Sequence, residues 1–313
     1  MSQRLSGYCY LVSAMILVGS TVVASKLIAG GLPPFIATAL RFAIAFPLFL
    51  ILMRLTSAPW PTLTRHDWLI LLVQAVAGSV GYTTLLISGM RMSSAADAGV
   101  IIGTLPVVSA AISIIILGER PSLATLAAIA LAALGVLSIV IRGDAGDAAS
   151  LSGNAGNALI FGAVVCEGLF ILLNKRLRVS ISPLVQSTLM TGLGLAAALV
   201  PAAFELPDMF SVTALSLGAV AYYALVPTVG GFLLWYAGTA RVSGAEASLF
   251  TAFAPLSALV LAVLMLDEHV GWNQVAGIAC VLMAVFMLGW ASKGKRKEKD
   301  VPDAGQAASS RQV

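Results

Sequence analysis

Residues 78–94 read GSVGYTTLLISGMRMSS and residues 227–243 read PTVGGFLLWYAGTARVS. Set one above the other, they align without a gap at an offset of 149, with Gly81 over Gly230, Gly89 over Gly238 and Ser94 over Ser243. The offset holds outward in both directions. Upstream it pairs Gly19 with Gly168, Lys26 with Lys175 and Pro34 with Pro183; downstream it pairs Pro106 with Pro255 and Glu119 with Glu268. Glycine, proline and charged residues are poor guests in apolar helices, so shared composition alone rarely aligns them. The chain is internally duplicated, and in a hydrophobic protein that points to a transporter.

The chain has 313 residues, of which 59% are hydrophobic and 10% charged, with a mean hydropathy of +0.98. That is too much apolar surface for a water-soluble core to hide, and it places the protein in a bilayer. About ten apolar stretches, each near the ~20 residues that span a hydrocarbon core, cover residues 7–28, 34–53, 68–88, 94–117 and 122–141, then 156–173, 183–204, 213–236, 243–266 and 271–290. Backbone groups in lipid must bond within their own segment, so the predicted class is all-α. The expected organisation is a first repeat at 1–142, a Gly/Asp/Ala/Asn linker at 143–155, a second repeat at 156–290 and a basic, disordered tail at 291–313.

Positive charge concentrates on one side of the predicted membrane. With the amino terminus in the cytoplasm, that side receives Arg4, Arg54, Arg65, Arg120, Lys175, Arg176, Arg178, Arg241 and the basic tail. The opposite side keeps Lys26, Arg91 and Arg142, with Arg41 just inside the second span. Both termini are therefore expected in the cytoplasm, and the net charge of +4 is topological and not a nucleic-acid surface. The first span is read as a retained helix, because only Arg4 precedes its long apolar run. Cys9, Cys166 and Cys280 show no CxxC spacing, His66 and His269 stand apart in loops, and no GxxxxGK[ST] string occurs. No cofactor, metal or catalytic cluster is expected, and the reading is not an enzyme. The expected partners are a small-molecule solute, the lipid bilayer and protons; a homodimer is admitted, nucleic acid is not.

Five spans per half is an odd number, so the second half must enter the membrane from the opposite side. Two inverted copies share a pseudo-two-fold axis in the membrane plane, and the same contacts can open a central cavity to either face. The solute site belongs near the midplane between the halves.

Within the spans, Glu167 is the candidate proton-coupling group. An ionised carboxylate there costs at least about 2.5 kcal/mol on insertion scales, so it should face a cavity or bond a neighbouring polar group. Its repeat mate is Val18, so the acid belongs to one half only. Arg41, or else Lys26 or Lys175, is the candidate counter-charge, with snorkelling to the headgroups as the competing account of the two lysines. Arg41, Gln74, Tyr82 and Thr104 in the first half, and Tyr222, Trp235, Thr251 and Phe253 in the second, are candidate cavity residues. Helix packing is the competing account of Gln74 and Asn174, and an interfacial anchor that of Trp235 and Tyr236.

Pro106 and Pro255 remove amide donors mid-helix and free the carbonyls near Ile102 and Thr251, giving either a bend that faces a cavity or a static kink. Pro227, Gly78, Gly81, Gly230 and Gly231 are hinge candidates that also suit close helix packing. Asp97 and Glu246 fall in first turns, where the helix dipole favours a carboxylate. Glu119 and Glu268 stand at helix ends.

This arrangement resembles the drug/metabolite transporter superfamily, in particular its EamA-domain exporters. The resemblance rests on Pro106 with Gly118-Glu119-Arg120-Pro121, then Ala127 and Gly135, and on Pro255 with Asp267-Glu268-His269, then Gln274 and Gly277. It covers residues 7–290 and implies a basket-like bundle whose cavity is lined by the first, third, fourth, sixth, eighth and ninth helices. It implies export of small metabolites such as amino acids, nucleobases, sugars or amphiphiles from a bacterial cytoplasm across the inner membrane, driven by a proton or solute gradient. An uptake permease of the same fold is the alternative. An enzyme acting on lipid-linked substrates would need His, Asp or Cys clustered at the membrane surface.

Overall fold

The computed structural model describes residues 3–117, 122–140, 148–174, 176–179, 181–205, 211–242, 250 and 253–299. Among these, all regular structure is helical. The first half holds α1 (Gln3–Ala29), α2 (Pro34–Leu55), α3 (Arg65–Gln74), a π-helical turn (Ala75–Gly81), α4 (Tyr82–Met90), α5 (Ala95–Gly103), α6 (Leu105–Leu117) and α7 (Leu123–Val140). The second holds α8 (Ala148–Asn174), α9 (Pro183–Ala202), α10 (Ala214–Tyr223), a second π-helical turn (Ala224–Gly230), α11 (Gly231–Thr239), α12 (Phe253–Leu266) and α13 (Trp272–Lys299). Among the described residues six continuous helices are long and apolar enough to cross a membrane, and α5 with α6 makes a seventh across a 44° bend. Leu123–Ser138, Phe253–Leu266 and Trp272–Met287 are shorter apolar helices. Together they are the ten segments read from the sequence. The protein is an all-α integral membrane protein.

The inversion is visible in helices that meet their own repeat mates. On α2 and α9, a Cβ added at Gly194 would stand 2.8 Å from the Phe42 ring, and one at Gly192 would stand 2.8 Å from the Phe46 ring. As one number rises the other falls, so the two run antiparallel. On α7 and α13, Gly135 faces Gly277 while Ser138 Oγ donates to the Asn273 carbonyl at 3.2 Å, again antiparallel. Other contacts swap partners as a two-fold demands: α1 packs on α12 and α11, and α8 packs on α6 and α4. The largest core cluster joins α1, α4, α5, α8 and α12 through Val22, Ile28, Met90, Ile101, Ile160 and Ala258.

Local detail repeats as well. Thr64 with Asp67 forms a capping box ahead of α3, and Thr213 with Ser216 forms one ahead of α10, 149 residues on. The two π-helical turns also fall at that offset. Such wide turns loosen the backbone ladder and recur at functional sites. In the second turn Pro227 lacks the N–H an α-helix would use, and Thr228 Oγ1 donates to the Tyr223 carbonyl five residues back at 2.8 Å. The first turn has no proline. There Gly78 admits the Phe170 side chain, with only 2.4 Å between an added Cβ and Phe170 Cβ.

Three expectations are revised. The bend ahead of Pro106 sits at Thr104, whose Oγ1 donates to the Ile101 carbonyl at 2.6 Å while its own carbonyl restarts the ladder with Val107 and Val108. The proline cannot donate to Ile102, so the chain breaks one residue before α6 rather than within it. Pro255 stands inside α12, with its ring against Gly103. The linker is shorter than expected, because α8 already begins at Ala148; Gly156 and Asn157 within it are held against Gly89 and Ser93. Helix persists to Lys299 where the tail was expected to lose order, as suits a stretch rich in lysine, arginine and glutamate. Residues 300–313 lie outside the described residues, as do Glu119, Arg120, Arg142, Lys175, Glu246 and Thr251.

Candidate functional site

Arg41 organises the polar centre. On α2, Phe42 faces α9, while Arg41 points toward α4 and α10. Its Nη1 donates to Thr83 Oγ1 at 2.8 Å, and its guanidinium lies 4.2 Å from the Tyr223 ring centroid and 4.9 Å from that of Phe42. Stacking of a desolvated guanidinium on an aromatic face contributes up to about 2 kcal/mol. Thr83 Oγ1 passes its own hydrogen to the Ser79 carbonyl, also at 2.8 Å, so Arg41 is tied to the backbone of the first π-helical turn. The Arg41 Nε is buried with no hydrogen-bond partner among the described residues.

Tyr82 follows that π-helical turn, with Thr21 in hydrogen-bond reach and Tyr223, Glu167 and Arg41 within electrostatic range. Glu167, on α8, is half-buried and within electrostatic range of Arg41. Next to it, Gly168 lets α8 close on α6, where an added Cβ would stand 2.7 Å from Ile112 Cδ1. The group therefore joins Arg41 and Tyr82 of the first half to Glu167 and Tyr223 of the second. Its guanidinium suits an anion, its carboxylate a proton or cation, and its rings an apolar body. Among the described residues no set of three His, Cys, Asp or Glu side chains could hold a metal ion.

The remaining candidates are scattered. Gln74 is fully buried, and its Nε2 donates to the Phe170 carbonyl at 3.0 Å, so it braces α3 on α8. Thr104 is 2% exposed and serves the bend. Tyr222 is 38% exposed, with its hydroxyl donating to Ser20 Oγ at 2.8 Å across to α1. Trp235 packs with Ala14, Met15 and Ala254, while Phe253 stacks on Phe250. Of the hinge residues, Gly78 and Gly81 are close-packed, Pro227 lies in the second π-helical turn, and Gly230 and Gly231 have no neighbour nearer than 3.6 Å to an added Cβ. Asn174 accepts from Gln186 and lies outside the centre.

Tyr223, Thr83 and Glu205 escaped the sequence reading. In an apolar helix the pattern does not tell the Tyr222 face from the Tyr223 face, and only Tyr223 proves buried. Glu205 lies beyond its span, yet its oxygens accept from the Phe35 and Ile36 amides at 3.1 and 2.8 Å, capping α2.

A second polar cluster stands at the membrane face of Lys26 and Arg91. Glu268 Oε1 and Oε2 accept from the Ala95 and Ala96 amides at 2.9 and 3.0 Å. The acid thus caps α5 of the opposite half. Asp97 stands in the first turn of α5, at the positive end of the helix dipole. Its amide bonds Ser94 Oγ, and its Oδ1 accepts from Gln274 Nε2 at 2.9 Å. Lys26 Nζ donates to the Ser93 carbonyl, and Ser93 Oγ bonds Asn157. A crevice of about 540 Å³ opens here, lined by Lys26, Arg91, Ser93, Glu268, His269 and Gln274 among others.

The model of the EamA-like transporter family matches this chain twice, over residues 5–141 and 154–290. The chain belongs to the EamA-like transporter family. It is 34% identical over 308 residues to the uncharacterized transporter YetK of Bacillus subtilis, covering 98% of this chain and 91% of that one. It is 25% identical over 286 residues to the uncharacterized transporter YyaM of the same organism, covering 91% and 93% of the two chains. A solved crystal structure with 20% sequence identity superposes with a TM-score of 0.58, covering 92% of this chain and 97% of that one. This EamA-like chain is a multi-pass membrane transporter by family.

Proposed function

We propose that this protein is a secondary-active exporter of a small polar or amphipathic metabolite, an amino acid or related compound, working by alternating access with proton coupling through Glu167. It sits in the cytoplasmic (inner) membrane of a bacterium with both termini inside. The observation that carries the reading is the union of Arg41 and Tyr82 with Glu167 and Tyr223 across the interface of two inverted repeats. An inverted scaffold suits access from either face, and Arg41 and Glu167 offer one charge to meet a solute and one to couple to protons.

A departure from symmetry supports the cycle. An added Cβ at Gly81 would stand 3.2 Å from Cys166 Sγ, whereas at its mate Gly230 the equivalent neighbour, Leu17, is 3.9 Å away. The two halves are thus not identical at this position, a difference that alternating access accommodates. One charge moving through 100 mV supplies about 2.3 kcal/mol, enough for a nearly fifty-fold gradient of a neutral solute.

The test begins with a thermal-shift screen of purified protein against a metabolite panel, since a ligand of the folded state raises the melting temperature. The hit is then assayed in proteoliposomes with an imposed pH gradient. Proton-driven flux that is lost in Glu167→Gln while solute exchange survives supports the reading. Flux indifferent to both the gradient and Glu167 removes the proton coupling, and absence of any saturable flux removes the exporter.

A further inference from the structure

We infer that Glu268 is the bar of a latch between the repeats, which shuts the membrane face of Lys26 and Arg91 and must be released in each transport cycle. The inference rests on the alternating-access reading above and assigns a part of that cycle to one residue. Glu268 follows α12 in the second half, whereas the amides it holds begin α5 in the first. Both carboxylate oxygens are spent on this crossing, and they meet unbonded N–H groups at the positive end of a helix dipole.

Two other bonds at this face cross in the same sense. Gln274 Nε2 reaches from α13 to Asp97 on α5, and Asn157 of α8 holds Ser93 just before it. Lys26 of α1 holds the Ser93 carbonyl from the other side. The start of α5 is thereby closed in, with Ala95, Ala96 and Asp97 no more than 2% exposed. Rocking of the halves separates α5 from α12 and α13, and every bond named between those elements must then break together. A plain brace would be buried away from water. This one borders the crevice of about 540 Å³, with Glu268 and Gln274 in its lining, so water can take over the carboxylate and the amides as they part.

Ser25 reports the latch. It is fully buried on α1 beside Lys26, and its hydroxyl has no hydrogen-bond partner among the described residues, so cysteine replaces it with little disturbance. Full-length Ser25→Cys protein, with Cys9, Cys166 and Cys280 changed to alanine, is reconstituted and exposed to a membrane-impermeant maleimide from either face. Adding Glu268→Gln, which weakens the charge-assisted bonds, is expected to raise the labelling rate roughly tenfold from one face only, the shift that follows when a closed state loses ~1.4 kcal/mol. Ala95→Pro should act in the same direction by deleting one of the two amides at a helix position that accepts proline. Glu205→Gln weakens the cap that α9 places on α2 at the same end, but α2 and α9 are packed together along their length through Phe42 and Phe46, so the rate should stay unchanged.

If neither Glu268→Gln nor Ala95→Pro changes labelling, or if Glu205→Gln raises it as much, the latch is wrong and Glu268 is a static cap. The readout is accessibility, so an error about solute or coupling shows in the flux assay and leaves this result standing.

Discussion

Gly156 of α8 presses its backbone onto Gly89 of α4, so that a Cβ added at Gly156 would stand 2.9 Å from the Gly89 carbonyl oxygen. The mate of this pair is Gly7 against Gly238, where the same distance is 3.5 Å. The first and third spans of opposite halves thus cross at glycine in both copies, and these crossings carry the helices that bear Tyr82 and Glu167. Gly156→Ala meets backbone on several sides and should destabilise by about 1–3 kcal/mol, as overpacking does. Gly218→Ala, with nothing within 4 Å, should be neutral or stabilise by a few tenths to about 1 kcal/mol through helix propensity. Thermal unfolding in detergent compares the two.

The cap on α2 predicts a second stability effect. Glu205 satisfies two amides at the start of the helix that carries Arg41. Glu205→Ala should cost about 1–3 kcal/mol through the lost charge-assisted bonds. Glu205→Gln, which retains one acceptor oxygen, should cost less, and the order of the three melting temperatures checks this.

Arg41 should matter more for binding than for stability. Arg41→Lys keeps the charge but loses the flat stack on Tyr223 and the directed bond to Thr83. Solute affinity should fall tenfold or more, about 1.4 kcal/mol, while the melting temperature in the absence of solute moves little. Isothermal titration with the solute found by screening measures the first, and an unfolding scan the second.

The scaffold was legible because duplication marks it twice. Pro34 with Pro183, Gly89 with Gly238 and Pro106 with Pro255 state the repeat in residues that apolar helices use sparingly. The charged centre carries no such echo. Arg41 is matched by Met190, Glu167 by Val18 and Tyr82 by Gly231. Arg41, Tyr82 and Glu167 were singled out because charge or an aromatic hydroxyl in lipid calls for an explanation. Their meeting, and Tyr223 as the surface Arg41 stacks on, are not written in the sequence, since a uniformly apolar helix hides which face turns inward. The π-helical turns were marked only by glycine and proline, which signal a disturbed helix without saying how it is disturbed. Glu268 was read as an acid at the end of its own helix, and only the fold shows that it serves a helix of the other half.

The two lobes are inverted around a shared centre, and Gly30 and Val179, which follow α1 and α8 at the repeat offset, therefore belong on opposite membrane faces. Single cysteines at these positions, in protein lacking Cys9, Cys166 and Cys280, are labelled with an impermeant maleimide in sealed vesicles of known orientation. The account predicts that Gly30→Cys reacts from one side only and Val179→Cys only from the other. Reaction of both from the same side would contradict the inverted repeat and, with it, the alternating-access mechanism.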